Sequence, residues 1–479
     1  MAKLLPFFSA RSERIYLIGG YLRDLLLGRV SPDVDFVLEG DAAAYARYIA
    51  DALGCSFFVL DKTLGTSRIV AREDGEVRTI DLALLRGGDI NSDLRLRDLT
   101  IDAMALDLKD FVAKKVAKVP GDLIDPFGGW RDLSEKRIEA VSNSAFLDDP
   151  LRLIRAFRLS ASIDFKISDR TLKLIKDFAY LILQSSAERV QDELLKILSL
   201  LRSADILSEM EKANLIDQIF TELTVTRGVK QDGFHHLDVW DHSLLALRRL
   251  EDILAQLEVF PPDLKRKIHA HLDQDIQGEY KRLTSLKLAT LFHDVGKPAT
   301  RSVNEKGRVR FTSHQKVGAD ITKGFLTRLR FGDRFNKLVL LLVKEHLRPG
   351  FLANENPPTR RAIYRFLRDT GEAAPEVLLL SLADRLAARG PAATRELDQR
   401  HQETVHLLME EYFRRREEKP LSPLVTGDDL MQTLHLKPGP LIGQLLERIR
   451  EAQDEGKVVS KGDALRLVKK YLKTKNLVV

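Results

Sequence analysis

The chain reads IYLIGGYLRDLLLGRVSPDVDFV from Ile15 to Val37, and this stretch decides the fold. An apolar run predicts a strand, and Gly19 and Gly20 predict a sharp turn after it, because glycine lets the backbone bend and approach a ligand closely. A helix is expected from Tyr21 to Gly28. Free N–H groups at the start of a helix favour an anion such as a triphosphate. Arg23 lies on the first turns of that helix, where it can meet phosphate oxygens.

Two acidic residues close the same stretch. Asp33 and Asp35 are two residues apart in a segment predicted to be extended, so both carboxylates point to one face and can hold divalent metal jointly. Metal ions held in this way stabilise the attacking and leaving oxygens of a phosphoryl displacement. A third carboxylate is needed, and Asp81 in the alternating run VRTIDLALL is the natural candidate. Either short motif alone is more often an ordinary turn or a solvated loop, but this order of features predicts a nucleotidyl-transfer site.

Four further segments extend the pattern through the first half of the chain. They are RDLTIDAMAL from Arg97, DPFGGWRDL from Asp125, DDPLRLIRAFR from Asp148 and ERVQDELLK from Glu188. In order and spacing they resemble the second to fifth motifs of the bacterial tRNA nucleotidyltransferase and poly(A) polymerase family. The resemblance implies Mg²⁺ at Asp33, Asp35 and Asp81 and transfer of nucleotides from CTP and ATP to the 3′ end of tRNA.

The resemblance also implies roles around the nucleotide. Arg97 would contact phosphate and Asp98 the ribose hydroxyls, with a surface ion pair as the common alternative. Asp149 and Arg152 are three apart in a helical pattern, so they are expected to share a face. A carboxylate beside a guanidinium suits the amino donor and ring-nitrogen acceptor of cytosine and adenine, whereas uracil and guanine present the reverse pattern. An intrahelical salt bridge is the alternative.

Residues near this pair extend the prediction. Arg155 and Arg158 continue the basic helical row that Arg152 begins, and we include them among the nucleotide-binding residues. Glu188 and Arg189 are expected to brace the template helix. Three residues depart from the usual motifs of the family, which has arginine, asparagine and glutamate at the positions of Leu96, Asp102 and Asp148.

The segment from Arg86 to Leu96 is short. Family members that add all three nucleotides carry a longer flexible loop at this place, and members that add only CC have it shortened. The resemblance therefore leaves open whether the chain adds CC or CCA.

A second constellation lies in GFHHLDVWDH, LATLFHDVGK and LLSLADR. His242, the adjacent His293 and Asp294, and Asp384 resemble the HD metal-dependent phosphohydrolase superfamily. Imidazole with carboxylate suits a divalent transition metal such as Ni, Co, Mn or Fe, and an open position on that metal would activate water against a phosphate ester. A lone histidine on an apolar helix is usually a packed core residue. Three more residues are expected to contact phosphate or a second metal: Lys297, His314 and His346.

Composition agrees with an anionic partner. The 479 residues carry a formal net charge of +6, which suits RNA only if the basic residues are grouped locally. The single cysteine, Cys55, cannot form an intrachain disulfide and suits a reducing compartment. The sequence has no apolar run long enough to span a bilayer, so we expect a cytoplasmic protein without a membrane partner. Oligomeric state cannot be inferred.

The periodicity predicts an α+β fold, with strands before about residue 120 and helices after Asp148. We expect a polymerase-β-like nucleotidyltransferase head over 1–140, a helical neck with the base template and RNA binding over 141–228, a helical HD domain over 229–400 and a helical tail contacting tRNA over 401–479. The predicted activity is template-independent addition of C, or of C and A, to tRNA with release of pyrophosphate. The HD domain is expected either to remove phosphates from RNA ends or to serve mainly as a structural body. The alternatives are a poly(A) polymerase or A-adding enzyme, and an RNA-end phosphohydrolase driven by the HD site.

Overall fold

The computed structural model describes residues 7, 14–31, 33–61, 65–73, 76–109, 122–257, 260–278, 280–355, 357–418 and 422–474. The chain forms two compact units. The first comprises Met1–Glu193 with Glu209–Ile219, and the second comprises Leu194–Ser208 with Phe220–Val479. Among the described residues, no helix has the length and apolar character needed to cross a membrane.

A seven-stranded mixed sheet forms the core of the first unit, with strand order β3-β4-β5-β2-β1-β6-β7. Strands β2 and β5 are parallel, and the other neighbouring pairs are antiparallel. The strands are β1 (Ile15–Ile18), β2 (Asp33–Leu38), β3 (Ser56–Asp61), β4 (Thr66–Glu73), β5 (Glu76–Leu84), β6 (Ala105–Asp107) and β7 (Leu123–Ile124).

Two helices position these strands. Helix α1 (Gly19–Leu26) follows β1 without a gap, and therefore begins two residues before the predicted start at Tyr21. Helix α2 comprises Ala42–Leu53. The Asp41 side chain caps its N-terminus by accepting a hydrogen bond from the Ala44 N–H, and Gly54 ends it at φ 66°. Its buried face packs on β4 and β5.

Short helices and strands complete the first unit. They are α3 (Ile90–Arg95), α4 (Gly129–Ser134), β8 (Arg137–Ile138), α5 (Ala145–Asp148), α6 (Arg152–Ile163), β9 (Lys166–Ile167), α7 (Asp169–Phe178), α8 (Ala187–Ser199), which continues into the second unit, and α10 (Leu215–Ile219), with 3₁₀ turns at Thr100–Asp102 and Ala179–Gln184.

The expectation that Asp149 and Arg152 share a helical pattern is wrong. Asp149 lies between α5 and α6 with φ −149° and ψ 102°, because it precedes Pro150, and a residue before proline is driven to extended geometry.

The second unit is almost entirely helical. Its further helices are α9 (Ser203–Lys212), whose last residues belong to the first unit, α11 (Val239–Gln256), α12 (Pro262–Leu272), α13 (Arg282–Phe292), α14 (Lys297–Thr300), α15 (His314–Arg328), α16 (Asp333–Glu345), α17 (Arg348–Ala353), α18 (Arg360–Thr370), α19 (Ala374–Ala387), α20 (Arg395–Glu417), α21 (Gly427–Leu434), α22 (Pro440–Asp454) and α23 (Lys461–Thr474), with 3₁₀ turns at Thr221–Thr226 and Gly371–Ala373. Two small hairpins accompany them, β10 (Asp275–Gln277) with β11 (Tyr280–Lys281) and β12 (Arg301–Val303) with β13 (Val309–Phe311).

Two of these helices are buried around nearly their whole circumference. Every residue of α13 except Leu283 is buried, and α19 is buried from Ala374 to Ala383. A helix that is buried on all sides belongs in the centre of a helical domain. The α+β class is confirmed, with a mixed sheet and helices followed by a helical remainder.

Candidate active site and metal centre

The three predicted carboxylates of the first unit meet on the sheet. Asp35 and Asp81 are register partners across the parallel pair β2–β5, and Asp33 faces Thr79 two residues earlier. Residues two apart on a strand point to the same face, so Asp33, Asp35 and Asp81 form one acidic cluster. The Thr79 hydroxyl donates a hydrogen bond to Asp33 Oδ1.

An arginine from the next strand holds the third carboxylate. Arg68 is the register partner of Asp81 across β4–β5. Its Nε and Nη2 donate to Asp81 Oδ1 and Oδ2, each at 2.8 Å. This two-pronged geometry fixes the plane of the carboxylate. Sequence reasoning missed Arg68, because its role depends on the pairing of two strands.

Gly19 permits the close packing of the acidic cluster against the nucleotide-binding residues. Its φ is +67°, and a Cβ at this position would lie 3.1 Å from Asp35 Oδ2 and 3.2 Å from Arg97 Nη1. Any larger residue would therefore combine backbone strain with a clash against two charged side chains. Gly20 has a more ordinary clearance, with 3.5 Å to the nearest atom of Arg23.

Burial raises the pKa of Asp35 to about 6; the nearby Arg97 opposes this rise, and the Asp81 carboxylate adds to it. A buried carboxylate beside a second carboxylate is stabilised in its ionised form by a bound cation. Carboxylate oxygens are the ligands that Mg²⁺ prefers. The residues present therefore fit a magnesium site.

A cavity of about 190 Å³ lies in the same unit. Five residues predicted to contact the nucleotide line it together: Arg97, Asp98, Asp149, Arg152 and Arg155. Its other lining residues are Arg86, Leu96, Leu151 and Arg189. The lining is rich in guanidinium groups, which suits a phosphate-bearing ligand.

The two template residues are each held by neighbours. Arg189 Nη1 and Nη2 donate to the Asp149 carboxylate at 3.2 and 2.7 Å, so Arg189 is in position to brace it. Arg152 donates to the carbonyls of Ala145 and Leu96 at 3.0 and 2.7 Å. Leu96 thus contributes through its backbone at the position where the family motif usually has arginine.

Asp98 is buried behind this pair. Burial opposes its ionisation, but Arg155 and Arg152 hold its pKa below the ordinary value. Arg155 Nε lies 2.8 Å from Asp98 Oδ2 and Nη2 lies 3.9 Å from Asp102. Ion pairing of this kind keeps a buried carboxylate charged.

Two of the predicted nucleotide-binding arginines lie outside the lining of the cavity, as do Gly19 and Gly20. Arg23 is 8% exposed and donates to Asp102 Oδ1 at 2.8 Å and to Asp24 at 2.9 Å. Arg158 Nε donates to Glu193 Oε2 at 2.6 Å. The guanidinium groups of both residues are therefore engaged with carboxylates.

The second unit gathers the predicted HD residues from different helices. His242 in α11 lies with its Nε2 2.9 Å from Asp384 Oδ1 in α19 and 3.7 Å from Asp294 Oδ2. His293 Nε2 lies 3.1 Å from Asp294 Oδ2 and 3.6 Å from Asp384 Oδ1. All four of these residues therefore meet at one point.

Histidines 314 and 346 also reach this centre. The Nε2 atoms of His314 and His346 lie 3.2 and 3.9 Å from Asp294 Oδ1. Lys297 Nζ lies 2.5 Å from Asp294 Oδ2 and donates to Gln231 Oε1 at 2.6 Å. His235 was not predicted as a ligand, yet its ligand atom lies within 4.8 Å of those of His242, Asp294 and Asp384. The only sequence signal for it was the adjacent pair of histidines in GFHHL.

Backbone carbonyls orient three of the rings. The Nδ1 atoms of His293, His314 and His346 lie 2.7, 2.8 and 2.7 Å from the carbonyl oxygens of Thr290, Phe311 and Val343. A carbonyl only accepts, so Nδ1 carries the proton and Nε2 faces the centre. Metal-binding histidines are commonly oriented in this way. His293 and His346 are also the C-caps of α13 and α16.

The electrostatics divide the histidines into two groups. Burial lowers the pKa of His242 to about 4 and that of His346 to about 3. Burial acts in the same direction on His293, but Asp294 and Asp384 outweigh it and raise that pKa to about 10. Despite their own burial, Asp294 and Asp384 have pKa values well below the ordinary range because of the adjacent imidazoles and, for Asp294, Lys297. The imidazoles of His242 and His346 are therefore neutral at pH 7, and together with the ionised carboxylates of Asp294 and Asp384 they form a donor set that fits a divalent transition metal.

Family models match the parts of the chain that contain the acidic cluster and the HD residues. The chain matches the family models of the poly(A) polymerase head domain over residues 15–139 and of a probable RNA and SrmB-binding site of polymerase A over 164–226. It also matches the HD domain over 239–389 and tRNA nucleotidyltransferase domain 2 over 376–468.

Similar proteins cover the chain almost completely. An A-adding tRNA nucleotidyltransferase of Deinococcus radiodurans is 34% identical over 95% of both chains. A CC-adding tRNA nucleotidyltransferase of Thermus thermophilus is 31% identical over 96% of this chain and 93% of its own. A solved CCA-adding enzyme with ATP shares the fold, with a TM-score of 0.65 at 22% identity over 98% of this chain and 94% of its own.

The fold and these matches define a nucleotidyltransferase that carries an HD domain. The chain belongs to the tRNA nucleotidyltransferase family. The family membership inferred from the motifs is confirmed.

Proposed function

We propose that the protein transfers nucleotides from CTP or ATP to the 3′ end of tRNA and releases pyrophosphate. The observation that supports this most strongly is the convergence of Asp33, Asp35 and Asp81 on one face of the sheet. Mg²⁺ held by these carboxylates would activate the 3′ hydroxyl and neutralise charge on the triphosphate. A tRNA substrate also implies a cytoplasmic location.

The chain's own residues supply positioning and selection. Arg97 lies between the acidic cluster and the cavity, where it is suited to hold phosphate. We propose that the Asp149 carboxylate accepts a hydrogen bond from the amino group of cytosine or adenine and that Arg152 donates to the ring nitrogen. Arg189 donates two hydrogen bonds to the Asp149 carboxylate. These hydrogen bonds fix the orientation of the carboxylate while a base binds.

We further propose that the protein adds CC and stops before the terminal A. The segment between Asp81 and Arg97 contains only a short loop, because β5 ends at Leu84 and α3 begins at Ile90. Its polar groups are engaged locally, since Arg86 donates from its N–H and Nε to Asp93 at 3.2 and 2.9 Å. Family members that add all three nucleotides are expected to have a long flexible loop here. This short segment, held by its own hydrogen bonds, is not such a loop. Addition of A alone is the second candidate, and the 34% identity to the A-adding enzyme favours it.

Three tRNA transcripts decide between these functions. One lacks the whole CCA end, one ends in C and one ends in CC, and each is incubated with Mg²⁺ and a single nucleotide or all four. We expect the first to gain CC and the second to gain C, with the third unchanged. Extension of only the CC-ended transcript by A would establish the second candidate. Long A tracts on unrelated RNA would identify a poly(A) polymerase, and a D33A variant that extends tRNA as well as the unmodified protein would overturn the assignment.

We also propose that the HD domain binds a divalent transition metal and hydrolyses a phosphate ester at an RNA end. The supporting observation is the convergence of His242, His293, Asp294 and Asp384. In hydrolysis a water oxygen bonds to phosphorus, the ester P–O bond breaks, and the leaving alcohol takes the proton. Hydrolysis of bis(p-nitrophenyl) phosphate with Ni²⁺, Co²⁺ or Mn²⁺ is expected and should vanish in D294A. Hydrolysis that survives D294A would contradict the proposal.

A further inference from the structure

We propose that the last nucleotide of the RNA acceptor binds on the exposed face of β3 and β4, with its base stacked on Phe58 and its phosphate beside Arg68. This inference rests on the proposed transfer to the 3′ end of tRNA and names the surface that positions this end. It also accounts for an aromatic side chain that is 52% exposed near the acidic cluster.

Four side chains form one row across the sheet. Phe58 of β3 is the register partner of Arg68 of β4. Arg68 pairs in turn with Asp81 of β5, and Asp81 pairs with Asp35 of β2. Register partners on neighbouring strands point to the same face of a sheet. Phe58 therefore shares the face of the acidic cluster and lies two strand spacings, about 10 Å, from Asp81.

The end of this row is open to a ligand. The side chain of Arg68 is 38% exposed. Its neighbours along β4, Ser67 and Ile69, are buried on the opposite face, where α2 packs. An exposed aromatic ring beside a guanidinium suits a nucleotide, because every base has a π-face that can stack on the ring and the phosphate is anionic.

The residue suited to hold the triphosphate lies on the other side of the acidic cluster. A Cβ on Gly19, which follows β1, would lie 3.1 Å from Asp35 Oδ2 and 3.2 Å from Arg97 Nη1. Strand β1 flanks β2 on the side away from β5. Arg97 therefore approaches the cluster from the β1 side, whereas Arg68 approaches it from the β4 side.

The geometry of the transfer step places the acceptor opposite Arg97. The 3′ oxygen of the acceptor bonds to the α-phosphorus, the bond from that phosphorus to the pyrophosphate oxygen breaks on the opposite side, and the hydroxyl proton is released. Since Arg97 is suited to hold the phosphates that leave, the acceptor has to reach the cluster from the side of β5, β4 and β3. Phe58 and Arg68 lie on this route.

Arg68 has a nitrogen left for the acceptor. Its Nε and Nη2 donate to the two oxygens of Asp81, each at 2.8 Å. Of the residues that the structure describes, none accepts a hydrogen bond from its Nη1. One guanidinium can therefore orient the third carboxylate and donate to the phosphate of the last nucleotide at the same time.

A fluorescent acceptor tests the position of the base. A tRNA that lacks its CCA end and carries 2-aminopurine as its last base is bound to the full-length D33N/D35N variant, so that no transfer occurs. Stacking on Phe58 should quench the fluorescence. Adding F58L should abolish most of this quenching, because leucine keeps the apolar volume but has no ring, and F58Y should retain it. V59A is the matched control, since Val59 is 44% exposed in the same strand and points to the opposite face.

Steady-state kinetics of the active chain supply the second measurement. F58L should raise KM for tRNA about tenfold and leave KM for CTP unchanged, with F58Y close to the unmodified protein. Quenching that survives F58L, or an equal rise in both KM values, would overturn the inference. Loss of a dimer in F58L by light scattering, with unchanged quenching, would assign the face to a second copy of the chain and overturn it as well.

Failure of this inference can be told apart from failure of the proposed function. Extension of tRNA by the unmodified protein together with quenching that does not depend on Phe58 would remove only the acceptor site. Quenching that depends on Phe58, without extension of any tRNA, would support an RNA-end site and remove only the transfer activity.

Discussion

Replacing Asp35 with asparagine should stabilise the metal-free protein while abolishing nucleotide transfer. Burial raises the pKa of Asp35 to about 6 from its ordinary value of 3.8. Because the folded state binds the proton more tightly, the stabilisation is fully present below pH 3.8 and is lost as pH rises through about 6. A difference of about two pH units at 1.36 kcal/mol each makes the ionised carboxylate unfavourable by about 3 kcal/mol at pH 7.5.

Urea unfolding in EDTA measures the effect. D35N removes the charge, so its free energy of unfolding should exceed that of the unmodified protein by about 3 kcal/mol at pH 7.5 and by about half as much at pH 5. The transition of the first unit is followed by native-state hydrogen exchange of β2 amides. Magnesium should stabilise the unmodified protein and have a smaller effect on D35N, because one ligand is lost.

D33N is the matched control. Asp33 is exposed at the start of β2, so this variant should also lose transfer activity but change stability by less than about 0.5 kcal/mol. The reasoning is refuted if D35N is no more stable than the unmodified protein at pH 7.5, or if its advantage is the same at pH 5.

Other perturbations have separate expected outcomes. G19A should lower transfer activity and destabilise the first unit by about 1–3 kcal/mol, since it combines φ +67° with a Cβ 3.1 Å from Asp35 Oδ2; equal activity and urea midpoint would contradict this. R189A should reduce the ratio of kcat/KM for CTP over UTP about tenfold, about 1.4 kcal/mol, because Asp149 loses its two-point brace; unchanged selectivity on a CCA-less tRNA would exclude a bracing role. Burial lowers the pKa of His401 to about 4 from 6.5, so its contribution to stability is present above pH 6.5 and is lost as pH falls through about 4. The unmodified protein should therefore lose about 2 kcal/mol between pH 7 and pH 5 that H401Q does not lose, and parallel urea profiles for the two proteins would refute the assignment.

The acidic cluster shows what local patterns predict and where they stop. Alternation identified Asp33, Asp35 and Asp81 on strands, since a period of two is visible in the sequence. The role of Arg68 could not be predicted from the sequence, because only the register of β4 against β5 brings its guanidinium to Asp81. The contact of Arg23 was likewise not predictable: the fold brings Asp102, 79 residues away in the chain, to 2.8 Å from its guanidinium, and the phosphate role expected from its position after the glycine pair stays a prediction.

The prediction that Asp149 and Arg152 lie on one helix was wrong about the backbone between them. Spacing alone suggested one helix for Asp149 and Arg152, and Pro150 between them prevented it. Both side chains nevertheless line the same cavity. For the HD centre, the doublet His293–Asp294 was visible in sequence, whereas His235 was not, since a histidine in a loop has no periodicity to reveal its direction.

The HD histidines donate hydrogen bonds to backbone carbonyls, and these hydrogen bonds do not depend on a bound metal ion. Metal can therefore be lost without unfolding of the domain. Thr290 and Val343 lie in the last turns of α13 and α16, so His293 and His346 satisfy helix-end carbonyls whether or not an ion is bound. A chelator should therefore remove a bound metal ion without unfolding the domain. The imidazole rings keep their orientation, so they are already placed when a metal ion binds again. Natural selection can discard the chemistry of this domain and keep its architecture, provided that it retains the imidazole N–H at the end of each helix.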